Sequence, residues 1–259
     1  MNQIGMATFI LLSSIAVSAF GYDSLALEKA KLTGECEECD FEKADLKGAD
    51  FKGINLDEST FEGADLRGTM FGDCGECDFS NANLTEANME KASLDEAIFE
   101  NADATRVNAS GAYIHHANFA GANLTDADMK TVNVGKGDFT RANLTRANFA
   151  GAKMKSAAIV DAIVQNADLS FADLTYANLS KSDVAGASFK GAIMRGVNLK
   201  GAKMAGADFS GADLSQATLG TTSHYNHATS SIEDMPIFIK CSNLAAAGAV
   251  FDAATKCSK

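Results

Sequence analysis

From Phe79 to Leu219 every fifth residue is apolar, through Leu84, Met89, Leu94 and Phe99 to Leu214, and none of the 29 slots is polar. The slot two residues earlier is Ala at 23 of the 29, as at Ala82, Ala87, Ala92, Ala97 and Ala102. Between the two lies mostly Asp or Asn, as at Asn83, Asn88, Asp103, Asn108, Asn118 and Asn123. A period of five fits neither a helix at 3.6 nor a strand at 2, which leaves a repeat architecture. One repeat cannot stand alone. Burying its large apolar side chain is worth about 1.5–3 kcal/mol, whereas ordering each of its five residues costs about 1–2 kcal/mol. Only stacked neighbours make such a chain stable.

The stretches ANLTDADMK, ADLSFADLTYANLS and ADFSGADLS resemble the pentapeptide-repeat family, whose consensus is A(D/N)LXX. With the earlier block Phe41, Leu46, Phe51, Leu56, Phe61, Leu66 and Phe71, the resemblance covers about 180 residues and 36 slots. It implies an all-β fold, a right-handed quadrilateral β-helix with short helical caps, with four repeats to a square coil and the Leu/Phe and Ala slots facing inward. Thirty-six slots make about nine coils, roughly 43 Å of rod at about 4.8 Å per strand spacing. The single proline, Pro236, falls outside the repeats, as a hydrogen-bonded ladder requires.

The expected organisation is a signal peptide over 1–19, an amino-terminal cap over 20–35, and the β-helix over 36–220. A polar linker follows over 221–235, then a helical cap over 236–259. The run Ala7 to Ala19 is too short to span a membrane well, and Val17-Ser18-Ala19 offers small residues for cleavage, although Met1 to Met6 lacks a basic residue. Leu25, Leu27 and Leu32 suit a short helix over the first coil, and Asn243 could N-cap a helix from Leu244 to about Lys256. No stable membrane span is expected once the leader is removed.

Six cysteines after a leader favour disulfides over thiols. Cys36 and Cys39 share a C-x₂-C-D-F motif with Cys74 and Cys77. Residues three apart across a tight turn can bridge, so Cys36–Cys39 and Cys74–Cys77 are local candidates. Paired C-x₂-C motifs also suit zinc, and a single one suits a redox dithiol. Two coils, roughly 10 Å of rod, separate the motifs, too far for one zinc. The step from Phe71 to Cys74 is only three residues, however, so the register breaks over 72–78 and a bulge or small projecting loop is expected there. Cys241 and Cys257 would staple the final cap, closing about 16 residues for around 3 kcal/mol; similar ends occur in exported members of the family.

Residues twenty apart should stack, so Phe79, Phe99, Phe119 and Phe139 form an inward ladder continued by Ile159, Leu179, Leu199 and Leu219. A rod filled by such side chains leaves no interior pocket of substrate size, which argues against an enzyme, and no cofactor is implied. Ala104 and Ala109, beside Val107, mark the coil with the loosest packing. His115 and His116 should face outward above Asp95 and Glu96, an arrangement open to a metal, a pH response or a plain solvated ion pair.

The net charge is −12, but it is not uniform. Residues 20–101 carry 21 acidic and 7 basic side chains, whereas 102–259 carry 13 acidic and 15 basic ones. Some acidic members of the family mimic DNA and act on DNA gyrase. That requires negative charge along the whole rod and access to the cytoplasm, which the leader and cysteines oppose. The expected role is a non-catalytic structural or interaction rod in the periplasm or another exported compartment, such as a thylakoid lumen, with no direct contact to nucleic acid. Glu35, Glu37, Glu38, Glu58, Glu62 and Glu76, with the loop near Asp73, form the candidate dock for a cationic protein or surface. A solvated acidic end that only aids solubility is the plainer alternative.

Overall fold

The computed structural model describes residues 30, 32–226 and 231–257. The expected leader and most of the amino-terminal cap, including Leu25 and Leu27, lie outside them. Ala30, Leu32 and Thr33 are helical, and Ala30 is buried. From Glu35 the chain advances in five-residue steps. Each step makes one parallel bridge to the residue twenty further on, as in Asp78 to Ile98, Ile98 to Asn118 and Asn118 to Asp138. Four repeats thus bring the chain back over itself.

The hydrogen bonds of one repeat explain its composition, because all five N–H groups find partners. Phe79 N donates to Ile98 O at 2.7 Å and Asn81 N to Glu100 O at 2.9 Å, both one coil ahead. Asn83 N donates to Ala64 O at 2.9 Å, one coil back, and Ala82 N closes the turn onto Phe79 O at 3.0 Å. No coil neighbour reaches Ser80 N, and Asp78 Oδ1 accepts from it at 2.8 Å. The same Asx geometry recurs from Ala120 N to Asn118 and from Thr140 N to Asp138. The Asp or Asn before the central slot therefore completes the backbone accounting; its periodicity was visible in the sequence, but its purpose was not.

Inside, rings stack almost parallel. Phe99 and Phe119 have centroids 4.5 Å apart at 3°, and Phe119 and Phe139 are 4.9 Å apart at 2°, within the favourable range for offset aromatic pairs. The ladder reaches further back than expected: Phe41 stacks on Phe61 and Phe61 on Phe79. Beside Ala104, Val107 and Ala109 lies a void of about 10 Å³, at most the room of one water.

That backward extension corrects the expected bulge at 72–78. Across the break the bridges join residues 18 apart, Thr60 to Asp78, Asp65 to Asn83 and Met70 to Asn88. Phe71-Gly72-Asp73 is a repeat shortened by two residues and drawn in along the coil, and no loop projects. A Cβ on Gly72 would lie 3.4 Å from the backbone nitrogen of Gly53 in the coil below, so the short corner hugs its neighbour. Cys36, Leu56 and Cys74 consequently fall in one column, and Leu56 with Ser59 separates the two cysteine pairs.

Ser59 fills an Ala slot between those pairs and is fully buried. Its hydroxyl accepts from Cys39 N at 3.0 Å and donates to Cys36 O at 2.7 Å, standing in for the direct turn bond of other repeats. Ser59→Ala should therefore leave the buried Cys39 N–H without its acceptor and destabilise the protein by about 1–3 kcal/mol, read as a lower urea midpoint. Loss of less than about 0.5 kcal/mol would show that the turn closes without the hydroxyl.

The carboxy-terminal end differs from expectation in two ways. Instead of a polar linker, strands β1 (Thr218–Asn226) and β2 (Ser231–Phe238) pair antiparallel, with Asn226 opposite Ser231 and Thr221 opposite Pro236. Polarity concealed strand-forming Thr221, Thr222, Tyr225 and Ile232, and a two-stranded hairpin leaves an edge where Pro236 costs no ladder bond. The helix is also shorter: α1 spans Cys241–Ala246. Its N-cap is Lys240 and not Asn243, which sits within the first turn and accepts from Lys240 N through Oδ1 at 2.8 Å. Gly248, with φ +71°, ends it: Gly248 N donates to Ala245 O and Ala249 N to Leu244 O, the paired bonds of a glycine-terminated helix. The chain then lies across the end of the rod, Val250 bridging Asp208 and Lys256 bridging Asp213.

Candidate functional site

Stacking places the two turn residues of each repeat on one of four corners. One corner gathers Glu37 and Glu38, then Asp57 and Glu58, Gly75 and Glu76, and Asp95 and Glu96, tier upon tier. Above these come His115 and His116, then Gly135 and Lys136, Lys155 and Ser156, Thr175 and Tyr176, and Arg195 and Gly196. Seven carboxylates thus give way, through two imidazoles, to lysines and an arginine along a single edge.

Of the candidate dock residues, the structure brings Glu37, Glu38, Glu58 and Glu76 together on this corner. Glu35 and Asp73 lie on the adjoining face, in the column continued by Ser93 and Tyr113. Glu62 does not join them; it sits one corner away, in the column of Glu42 and Glu100. Asp57, Asp95 and Glu96 belong to the group and were not among the dock candidates. Reading the break as a two-residue deletion, Glu38, Glu58, Glu76 and Glu96 fall at steps of 20, 18 and 20 in the sequence, a signal that the assumption of a bulge hid.

The diagonal corner makes the contrast. There Glu86, Arg106, Asp126 and Arg146 alternate up the stack and pair off: Arg106 bonds Glu86 at 2.8 Å and Arg146 bonds Asp126 at 2.6 Å. The Arg146 guanidinium holds the Asp126 carboxyl below the usual carboxylate range. On the first corner like charges neighbour like. Two such charges about 4 Å apart repel by about 1 kcal/mol even in bulk water, so the segregation is not a device for internal stability. Among the described residues Glu58, Glu76, Lys136, Lys153 and Lys155 have no ion-pair partner. Arg195 does: its Nε lies 2.7 Å from Asp213. Burial works to raise the Asp213 pKa, but hydrogen bonds from Ser215 and Arg195 outweigh it and hold the carboxyl at about 2.

Glycine at the positive-φ turn position is scarcer on this corner than on the other three. Its second turn residue has positive φ, and Glu38, Glu58, Glu76, Glu96, His116, Lys136, Ser156, Tyr176 and Gln216 all adopt it, with glycine only at Gly196. The next corner in the chain's path backwards alternates at that position, with Gly53, Gly111, Gly151, Gly191 and Gly211 interleaved with Lys91, Thr131 and Phe171. Left-handed geometry disfavours side chains with a Cβ by roughly 1–2 kcal/mol, yet here they are kept.

Two clefts open where the first turn residue is glycine. At Gly75 a cleft of about 160 Å³ is lined by Asp57, Glu58, Glu76, Asp95 and Glu96, and Asp57 Oδ1 accepts from Gly75 N at 2.7 Å. At Gly135 a cleft of about 420 Å³ is lined by Tyr113, His115, Lys136, Lys153, Lys155 and Asp173 among others. The histidines stand over their carboxylates as the sequence suggests, His115 Nδ1 3.9 Å from Asp95 and His116 Nδ1 3.7 Å from Glu96. Among the described residues no three His, Cys, Asp or Glu side chains converge as a metal site, and no helix is long and apolar enough to cross a membrane. Three cysteine pairs lie at disulfide distance, Cys36–Cys39, Cys74–Cys77 and Cys241–Cys257, with Cα separations of 5.4, 5.5 and 5.6 Å.

Residues 35–73, 73–108, 99–130, 132–157, 158–191 and 185–220 match the family model for pentapeptide repeats. Among solved structures, the chain is similar to HetL, a pentapeptide repeat protein involved in heterocyst differentiation regulation from the cyanobacterium Nostoc sp. strain PCC 7120. That likeness has 24% identity and a TM-score of 0.30, covering 80% of this chain and 98% of the other. A pentapeptide repeat protein from the Arabidopsis thaliana thylakoid lumen is 32% identical over 36% of this chain and 61% of its own, with a TM-score of 0.29. Full-length QnrB1, a plasmid-mediated fluoroquinolone resistance protein, is 17% identical over 85% of this chain and 92% of its own, with a TM-score of 0.30. No curated protein matches the sequence.

Proposed function

Because this chain belongs to the pentapeptide-repeat family, we propose that it is a non-catalytic interaction rod, right-handed and of about nine coils, whose acidic corner docks a cationic protein or surface. The observation that carries this is the column of seven carboxylates running from Glu37 to Glu96, segregated where a merely soluble rod could have paired its charges as the diagonal corner does. A filled interior of Phe, Leu, Met and Ala supports a role outside catalysis. The leader-like residues 1–19 and the three cysteine pairs support work in an oxidising, exported compartment, a periplasm or thylakoid lumen. The DNA-mimic alternative fits less well, since the charged edge reverses sign halfway along, whereas duplex DNA is negative throughout.

The test is charge-matched. Binding of the purified protein to immobilised poly-lysine at low salt should fall at least tenfold when Glu38, Glu58 and Glu76 become Gln. It should change little when Glu42, Glu62 and Glu100 become Gln, or when Lys200 and Lys203 are replaced. Raising salt to about 1 M, where the Debye length is about 3 Å, should abolish it. Equal losses for the two glutamine triplets would mean that net charge alone drives binding and would remove the dock.

A further inference from the structure

Counting outward from the His115–His116 tier, the graded corner is complementary to itself. One tier below are Asp95 and Glu96, and one above are Gly135 and Lys136. Two below are Gly75 and Glu76, against Lys155 and Ser156 two above. Three below are Asp57 and Glu58, against Thr175 and Tyr176; four below are Glu37 and Glu38, against Arg195 and Gly196. A twofold axis through the histidine tier, normal to the rod, would set the acidic tiers of one copy against the basic half of another, the relation an isologous pair requires.

Relief follows the same steps as charge. The Gly75 gap, inside the acidic cleft, lies two tiers below the axis, and Lys155 projects two tiers above it. The Gly135 gap, inside the basic cleft, lies one tier above, and Asp95 and Glu96 project one tier below. Each gap therefore meets projecting side chains of opposite charge in a second copy turned end for end. The Asp95 side chain, 45% exposed, comes opposite the second copy's Lys136. Tyr176 is 60% exposed and its ring spreads over Gly196, where a Cβ would come within 2.5 Å, so an aromatic surface is available at the third tier, the residue type that anchors interfaces.

We propose that this corner is a self-recognition edge on which two copies pair antiparallel. The reading rests on the interaction-rod function and names a second copy as an occupant of the acidic corner. Eight tier steps at about 4.8 Å make an edge of about 40 Å. At roughly 15 Å wide it buries about 1,200 Å² in total, the low end for a specific interface. The pair is accordingly weak and strongly salt-dependent.

Sedimentation velocity on the purified protein over a concentration series tests this. At low salt the wild type should show a reversible monomer–dimer equilibrium that shifts to monomer at about 1 M salt. Glu76→Lys with Glu96→Lys should weaken self-association at least tenfold, and so should Lys136→Glu with Lys155→Glu. All four changes in one chain should restore it, and an equimolar mixture of the two double variants should form the heterodimer. Restoration also shows that the substitutions leave the fold intact. A wild type that stays monomeric at every concentration, or a fourfold variant no better than the doubles, would overturn the pairing. A monomeric wild type that still bound poly-lysine through Glu38, Glu58 and Glu76 would overturn the self-pairing while leaving the dock in place.

Discussion

Phe119→Ala will destabilise the rod by about 3–5 kcal/mol, the upper part of what a single core truncation does. The ring is 2% exposed and is held between Phe99 and Phe139 at 4.5 and 4.9 Å, so the change removes two stacking contacts as well as buried area. Phe119 also borders the small void beside Ala104 and Ala109. Truncation enlarges a cavity that already exists, and the flanking coils, pinned by backbone bonds on both sides, have little freedom to collapse into it. Phe119→Asp adds an unpaired buried charge and should prevent folding altogether. Lys200→Gln, on an exposed turn, should stay within about 0.5 kcal/mol. Urea melts of the three variants measure the differences; equal midpoints for Phe119→Ala and Lys200→Gln would contradict the inward placement of the slots.

Deleting residues 241–259 should have an effect of the same order, through the rod's open end. Gly206 N donates to Gly248 O, Phe209 N to Val250 O and Leu214 N to Lys256 O, each at 2.8 or 2.9 Å. Thr255 Oγ1 donates to Phe209 O at 2.9 Å. Without the cap those last rod N–H groups form a bare edge above the buried side chains of Phe209 and Leu214, and an uncovered edge pairs with other chains. The truncated protein should melt earlier and scatter light on warming. Replacing Cys241 and Cys257 by Ser removes only the staple, about 3 kcal/mol for a loop of this length, and should lower the midpoint without causing aggregation. A truncation that melts like the intact chain would show that the hairpin of β1 and β2 suffices as the cover.

The sequence made the interior legible because the central and Ala slots report burial, and a period of five unbroken from Phe79 to Leu219 stacks them in register. What it concealed depended on register. Phe71 to Cys74 could be read as an insertion pushed outward or as a repeat cut short, and only stacking distinguishes them. That one ambiguity scattered Glu38, Glu58, Glu76 and Glu96 over different faces and let Glu62 pass as their neighbour. Beyond Leu219 the repeat no longer disciplines the reading. Polar Thr and Ser residues suggested a linker where backbone pairing makes a hairpin, and an alanine-rich run suggested a long helix that Gly248 cuts short. The disposition of charge among four corners is a property of the coil, so its sign reversal at the histidines surfaced only once twenty-residue columns were fixed.

In the proposed function one corner, and not the acidic end as a whole, carries the interaction. Carbodiimide labelling of carboxylates tests it directly, comparing dilute free protein with protein bound to poly-lysine and mapping the label residue by residue. Protection should concentrate at Glu38, Glu58, Glu76 and Glu96, while Glu42, Glu62 and Glu100 one corner away keep their reactivity. Protection spread evenly over both columns, or greatest at Glu42, Glu62 and Glu100, would contradict it.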